Sequence, residues 1–242
     1  MIYAFRNFKR NTMLNLTAQS VRHFDPNARI IATTFYEENY DDEYSELEPL
    51  LSFIDEFKFK TKYPNTSGRP VDALDQSNGK VGITSGVGNP NNHFFFSEGY
   101  NAVWEVLKND NPKKVLMLGE DHFFTTGAVI QELKENENNF AIAYGSWCWW
   151  GYEPKWASGS CVCFDLEILK NIFPLPSPSD IRHGDGQPVY YIEGYLYQIL
   201  ARIPPQFHYI MKNRTFENHH GDGLYTNSSQ KIREELQKAN II

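Results

Sequence analysis

The stretch 114-KVLMLGEDHFF-124 decides how this chain is read. Val115 to Leu118 form an apolar run of strand length that closes on Gly119. A short apolar run bounded by a glycine suits a strand buried on both faces. Glu120, Asp121 and His122 follow at once, and Phe123 and Phe124 then restore apolar character. The sequence predicts one strand through this whole stretch, with its charges at the tip. Neighbouring carboxylates repel when both are ionised, so their proximity is costly unless a cation sits with them. Hard oxygen donors suit Mg²⁺ or Mn²⁺, and an added imidazole tilts the choice toward Mn²⁺. The alternative is plain: acids at a strand end also suit the N-terminus of a following helix, where the dipole favours negative charge.

Outward from this strand the pattern repeats. Residues 2–7, IYAFRN, predict a first strand, and Asn11 or Thr12 can cap a helix ending near His23. Further strands are predicted at 28–36, 53–60, 140–145 and 207–211, and one running into a helix over 159–173. Helices are predicted over 94–108, from Thr125 or Thr126 to Lys134, over 189–203, and over 228–239. Strands alternating with helices mean an α/β domain, with a central, mostly parallel sheet flanked by helices. Ligands of such sheets bind outside the carboxyl ends of the strands, and the Glu120-Asp121 tip is predicted at that edge.

Composition narrows the functional classes. The 242 residues are ample for a packed core. A formal net charge of -7 argues against a nucleic acid as the main partner, because a phosphate backbone calls for a basic face. The opening residues, MIYAFRNFKRNTM, lack the apolar core of a signal peptide, and no apolar run reaches the length of a membrane span. A cytoplasmic location is the expectation. Cys161 and Cys163 alternate along a strand and are predicted as buried thiols on one face.

Three other stretches carry candidate chemistry. In 216-FENHHGDGLY-225, His219 and His220 precede a glycine turn with Asp222, where imidazoles beside an acid can complete a metal site. The same residue types also make an ordinary surface turn. A second His-Gly-Asp-Gly, at 183–186, holds Asp185. The aromatic cluster 146-SWCWWGYEPKW-156 offers Trp149, Trp150 and Tyr152 as flat surfaces for the C–H faces of sugars, or as a hydrophobic plug.

Together these motifs resemble nucleotide-sugar-dependent glycosyltransferases of the GT-A fold, and most nearly the N-acetylglucosaminyltransferase II type. In that family a DxD-like motif reads as acids followed by His and an aromatic, on a strand like VLMLGEDHFF. The family also carries a late His-x-Gly-Asp-x-Gly turn, which His219-His220-Gly221-Asp222-Gly223 matches without the last spacer. The likeness covers mainly residues 113–134 and 190–223. It implies a single GT-A-like domain over 1–242, with a nucleotide-sugar-binding half (1–135) and an acceptor and catalytic half (136–242).

By position in those motifs, Asp121 resembles the metal ligand, Glu120 a ribose or water ligand, and His219 or His220 the late histidine that closes the metal site. Glu193, in 191-YIEGYLYQ-198, stands where the family places its catalytic carboxylate, with Asp185 as the second candidate base. The family pattern has Asp where this chain has Glu193. Arg6 is the candidate to stack on or pair with the nucleotide. The implied activity is metal-dependent, inverting transfer of a hexosyl or N-acetylhexosaminyl group from a UDP- or GDP-linked sugar to a glycan, glycoprotein or other hydroxyl acceptor. Two rival readings remain open: a metal-dependent phosphoester hydrolase using the same acids and histidines, and a non-catalytic carbohydrate-binding protein built on the Trp/Tyr cluster.

Overall fold

The computed structural model describes residues 1–7, 11–35, 52–60, 103–111, 113–119, 122–147, 156–172, 203–215, 224–225 and 229–242. Its centre is a seven-stranded sheet. The strands are β1 (Ile2–Asn7), β2 (Arg29–Phe35), β3 (Glu56–Lys60), β4 (Lys114–Gly119), β6 (Ile142–Trp147), β7 (Trp156–Asp165) and β8 (His208–Thr215), in the order β3-β2-β1-β4-β7-β6-β8. A small second sheet pairs β5 (His122–Phe123) with β9 (Leu224–Tyr225). The helices are α1 (Asn11–Phe24), α2 (Ala128–Glu135), α3 (Leu166–Ile172) and α4 (Ser229–Lys238), with a further helical stretch at residues 103–107.

The predicted α/β class and mostly parallel sheet are what the chain forms. β1 pairs in parallel with β2 and β4, and β2 with β3. β7 is antiparallel to both β4 and β6, so β6 runs with β4, and β8 runs parallel to β6. Only β7 in this sheet opposes the others.

Period-2 alternation sorts the apolar side chains onto two faces. Ile2 and Ala4, Val115 and Met117, and Val162 and Phe164 face a core shared with Trp104, Leu107 and Leu166. Tyr3 and Phe5, Leu116 and Leu118, and Cys161 and Cys163 face the other core, under Leu14, Ala18 and Val21 of α1 and Val129, Ile130 and Leu133 of α2. The two thiols are fully buried on one face, as their spacing predicts. Burial pushes the Cys163 thiol well above its ordinary range and outweighs the lowering pull of Lys114 and the N-terminal amine, so it stays protonated and behaves as a small hydrophobe.

A third cluster covers the outer side of α1. Met13 and Leu16 pack with Phe123 of β5 and with Ile232 and Leu236 of α4. The C-terminal helix therefore clamps β5 and α1 together.

Several predicted boundaries shift for physical reasons. The strand expected through 114–124 is two strands in two sheets. β4 stops at Gly119, and at His122 the chain pairs with β9 instead. The strand expected from residue 53 begins at Glu56, because Ser52 to Asp55 turn to dock the edge. There Asp55 Oδ2 accepts from Ile30 N at 2.7 Å, and Arg22 reaches Asp55 at 2.5 Å and Phe53 O at 3.2 Å. α2 begins at Ala128 rather than at Thr125 or Thr126, and Thr126 Oγ1 accepts from Ala128 N at 3.3 Å just before it. The strand expected over 207–211 follows a 3₁₀ turn (Pro205–Phe207) and runs on to Thr215. The helix expected over 189–203 lies outside the described residues except for Ile203.

One buried hydroxyl joins these layers. Ser20 of α1 donates to Thr17 O at 2.7 Å and accepts from Phe124 N at 3.1 Å. Ser20→Ala removes the acceptor for a buried amide, which costs roughly 1–3 kcal/mol. Denaturant unfolding should show a lower midpoint at unchanged slope.

Candidate functional site at the carboxyl edge of the sheet

The direction of the strands gives the sheet two chemically different edges. At the amino edge the charges are paired off. Arg29, at the start of β2, bonds Glu56 at the start of β3 (2.6 Å) and Asp110 ahead of β4. Lys114, at the start of β4, meets Asp165 at 3.2 Å and donates to Phe140 O. Tyr3 Oη donates to Asp25 at 2.9 Å, and Lys134 pairs with the same carboxylate at 2.8 Å. Burial, and then the Asp25 charge, push the Tyr3 phenol far above its usual range. These groups hold the base of the sheet together.

At the carboxyl edge β1 ends at Asn7, β4 at Gly119, β6 at Trp147 and β8 at Thr215. The strand order reverses between β1 and β4, since β2 and β3 lie to one side of β1 and β4 to the other. A reversal of this kind opens a crevice outside the carboxyl ends, the usual ligand position in such sheets. In register, Arg6 lies opposite Thr33 on one side and Gly119 on the other. Its backbone thus stands at the reversal, one strand from the residue that precedes Glu120.

The segment after β4 is held at both ends. Gly119 is buried in the sheet, and His122 and Phe123 are fully buried within β5. β5 pairs antiparallel with β9, with His122 opposite Tyr225 and Phe123 opposite Leu224. This pairing brings the chain just after Asp121 against Leu224 and Tyr225, which follow His220 by four and five residues.

A second irregularity lies farther along the same edge. Between Tyr144 and Ser146 the register of β6 shifts against both neighbours. Gly145 alone stands opposite residues 158–161 of β7 and residues 211–214 of β8. Bulges of this kind end regular pairing and re-aim a strand, and they favour the neighbourhood of active sites. The β8 bulge is held from the α2 side by Glu132. One of its carboxylate oxygens accepts from Tyr209 Oη (2.8 Å) and Lys212 N (2.6 Å). The other accepts from Asn213 N (3.0 Å) and Asn213 Nδ2 (2.9 Å). Glu132 is buried on the same helix face as Val129 and Leu133. The sequence reading passed over it, although its position three residues from Val129 put a carboxylate on an apolar face.

Of the residues predicted to carry the chemistry, Arg6 is in β1, where its backbone is described. Glu120, Asp121, Trp149, Trp150, Tyr152, Asp185, Glu193, His219 and His220 lie outside the described residues. Among the described residues no group of three His, Cys, Asp or Glu side chains could hold a metal ion, and no helix is long and apolar enough to cross a membrane.

No family model matches the chain, and no curated protein matches it by sequence. Solved structures do match its fold. The 4-diphosphocytidyl-2C-methyl-D-erythritol synthase of Anaerococcus prevotii superposes with a TM-score of 0.52 at 9% identity, covering 99% of this chain and 98% of its own. A Bacillus anthracis protein described as a glucose-1-phosphate thymidylyltransferase gives 0.50 at 11% identity, covering 99% of this chain and 94% of its own. A glycosyltransferase involved in glycosylation of the major capsid of PBCV-1 is a looser match, 0.47 at 12% identity, over 96% of this chain and 98% of its own. Identities this low establish the shared α/β fold and leave the chemistry to the residues.

The Tyr209–Glu132 contact has a pH signature. Burial, then the hydrogen bond and charge of Glu132, push the Tyr209 phenol up to about 12 from an ordinary 10.0. A phenol raised on folding adds stability below its unfolded value and loses it as pH rises through its folded value. Stability should therefore fall between about pH 10 and pH 12, and Tyr209→Phe should remove its share of that fall. Urea midpoints at the two ends of this window, compared between wild type and variant, separate it from the contribution of the other tyrosines.

Proposed function

We propose that the chain is a metal-dependent glycosyltransferase that moves a sugar from a nucleoside-diphosphate sugar to a hydroxyl acceptor. One observation carries this reading. Four stretches that bear its candidate chemistry follow, or stand at, the carboxyl ends of parallel strands: Arg6 in β1, Glu120-Asp121 after β4, Trp149, Trp150 and Tyr152 after β6, and His219-His220 after β8. The β5–β9 pairing adds a tether. Three residues separate His220 from Leu224, and the four steps of chain between them reach at most about 14 Å. Leu224 is opposite Phe123, two residues beyond Asp121.

The donor set suits a divalent ion, since carboxylate oxygen with imidazole favours Mn²⁺ and tolerates Mg²⁺. Asp121 and one of His219 or His220 would hold it, and when bound it neutralises the charge of the departing diphosphate. Glu120 takes the ribose or an ordered water, and Arg6 pairs with the nucleotide. Glu193 acts as general base, with Asp185 as the second candidate. It takes the proton from the acceptor hydroxyl while that oxygen bonds to the anomeric carbon. The bond from that carbon to the phosphate oxygen breaks, and the nucleoside diphosphate leaves. Attack opposite the leaving group inverts the anomeric centre. Trp149, Trp150 and Tyr152 supply flat surfaces for the acceptor sugar.

Nucleotidyl transfer is the second reading, favoured by the thymidylyltransferase description of the Bacillus anthracis structure. It would join a nucleoside triphosphate to a sugar phosphate and release pyrophosphate. A thermal-shift panel of UDP-, GDP- and CDP-sugars, with and without Mn²⁺, tests the first reading. At least one sugar nucleotide should raise the melting temperature in Mn²⁺ and do little without it. Pyrophosphate release from a nucleoside triphosphate and a sugar 1-phosphate, with no such shift, favours the second. Asp121→Asn should abolish the metal-dependent shift. Glu193→Gln should keep the shift and lose transfer, and equal transfer rates would remove Glu193 as the base.

A further inference from the structure

We propose that Glu132 is a positioning residue for the metal-holding segment, because it pins the bulge of β8 just ahead of residues 216–223. The inference rests on the transferase reading above. Its geometry stands on described residues. Between Ile210 and Thr215 no residue of β8 is in register with β6, and the amides of Lys212 and Asn213 turn to a side chain instead. Each backbone N–H is a strong donor that seeks an acceptor. Glu132 supplies both, and its remaining acceptor sites take Tyr209 Oη and the Asn213 amide nitrogen. A carboxylate has about four acceptor sites, and all four are used.

The arrangement is specific to a carboxylate. Each oxygen accepts from one backbone N–H, so an amide in place of the acid would set its own N–H₂ against the N–H of Lys212 or of Asn213. The helix that bears Glu132 packs under the sheet through Val129, Ile130 and Leu133, so the anchor is rigid. Beyond the bulge Thr215 regains register opposite Ser146, and the next residues lead to His219 and His220. At the far end β9 is tied to β5 beside the acidic tip. Glu132 thus sets one end of the histidine segment and the β5–β9 pair sets the other. A ligand carried on a chain held at both ends is preorganised for its ion.

The test uses Glu132→Gln, Tyr209→Phe and Asn213→Ala in the full chain, with UDP and GDP in MnCl₂ as probes. Hydrogen exchange over residues 209–225 is read alongside the nucleotide Kd. Glu132→Gln should speed exchange there while sparing residues 2–7 and 114–119. It should weaken Mn²⁺-dependent nucleotide binding at least tenfold and leave the Mn²⁺-free binding unchanged. Tyr209→Phe keeps both backbone contacts and should stay within about twofold of wild type. If Glu132→Gln does not fold, Asn213→Ala, which loses only the side-chain bond, should show the same loss at about threefold. A variant that folds, exchanges faster over 209–225, and binds nucleotide in Mn²⁺ like wild type overturns the inference and leaves the transferase reading standing. A wild-type chain that binds neither nucleotide in Mn²⁺ removes the transferase reading, and the inference falls with it.

Discussion

The parallel pairing of β1 with β4 is the constraint on which the rest depends. It sets Arg6 beside Gly119 in register and reverses the strand order at that point. Backbone hydrogen bonds on both sides leave no freedom to slip by one residue, because a slip would turn Tyr3, Phe5, Leu116 and Leu118 away from the core they share. The carboxyl edge is thereby fixed as the place where variable chain can gather around a ligand. β6 and β8 bring two more chain exits to the same edge, although β7 intervenes in the opposite direction.

The two edges divide the labour. Arg29 with Asp110 and Lys114 with Asp165 are partly exposed pairs at the base that contribute modestly to stability, whereas the Tyr3–Asp25 hydrogen bond beside Lys134 is buried. Glu120 and Asp121 follow β4 in the sequence, and His219 and His220 follow β8, strands that end at the opposite edge. The cost of bringing like charges together there is offset only if a cation joins them. That asymmetry is the physical content of the proposed metal site.

Much of the scaffold was legible because burial on both faces leaves a strong signal. VLMLG, IYAF and CVCF read as buried strands, and each is one. Helices with an apolar stripe, such as α1 and α4, were also plain. The break between Gly119 and His122 was not, because Phe123 and Phe124 continue the apolar run while the chain changes sheets. The bulge opposite Gly145 left no local mark, since it depends on two neighbouring strands. The acceptor role of Glu132 depends on amides about 80 residues away. For the site, residue types marked the acidic tip and the histidine pair as candidates, the family resemblance singled out Asp121 and a late histidine, and a link between them needs the long-range β5–β9 pairing that no sequence pattern announces.

The central claim is that Asp121 and a late histidine share one divalent ion with a diphosphate. Pulsed electron paramagnetic resonance of the Mn²⁺-loaded chain with UDP or GDP reads this directly. The account predicts a ¹⁴N coupling from a bound imidazole and a ³¹P coupling from the diphosphate in the same spectrum. It further predicts that the ¹⁴N coupling disappears in one of His219→Ala or His220→Ala. Bound Mn²⁺ with phosphorus coupling but no nitrogen coupling, or nitrogen coupling that survives both substitutions, would contradict it.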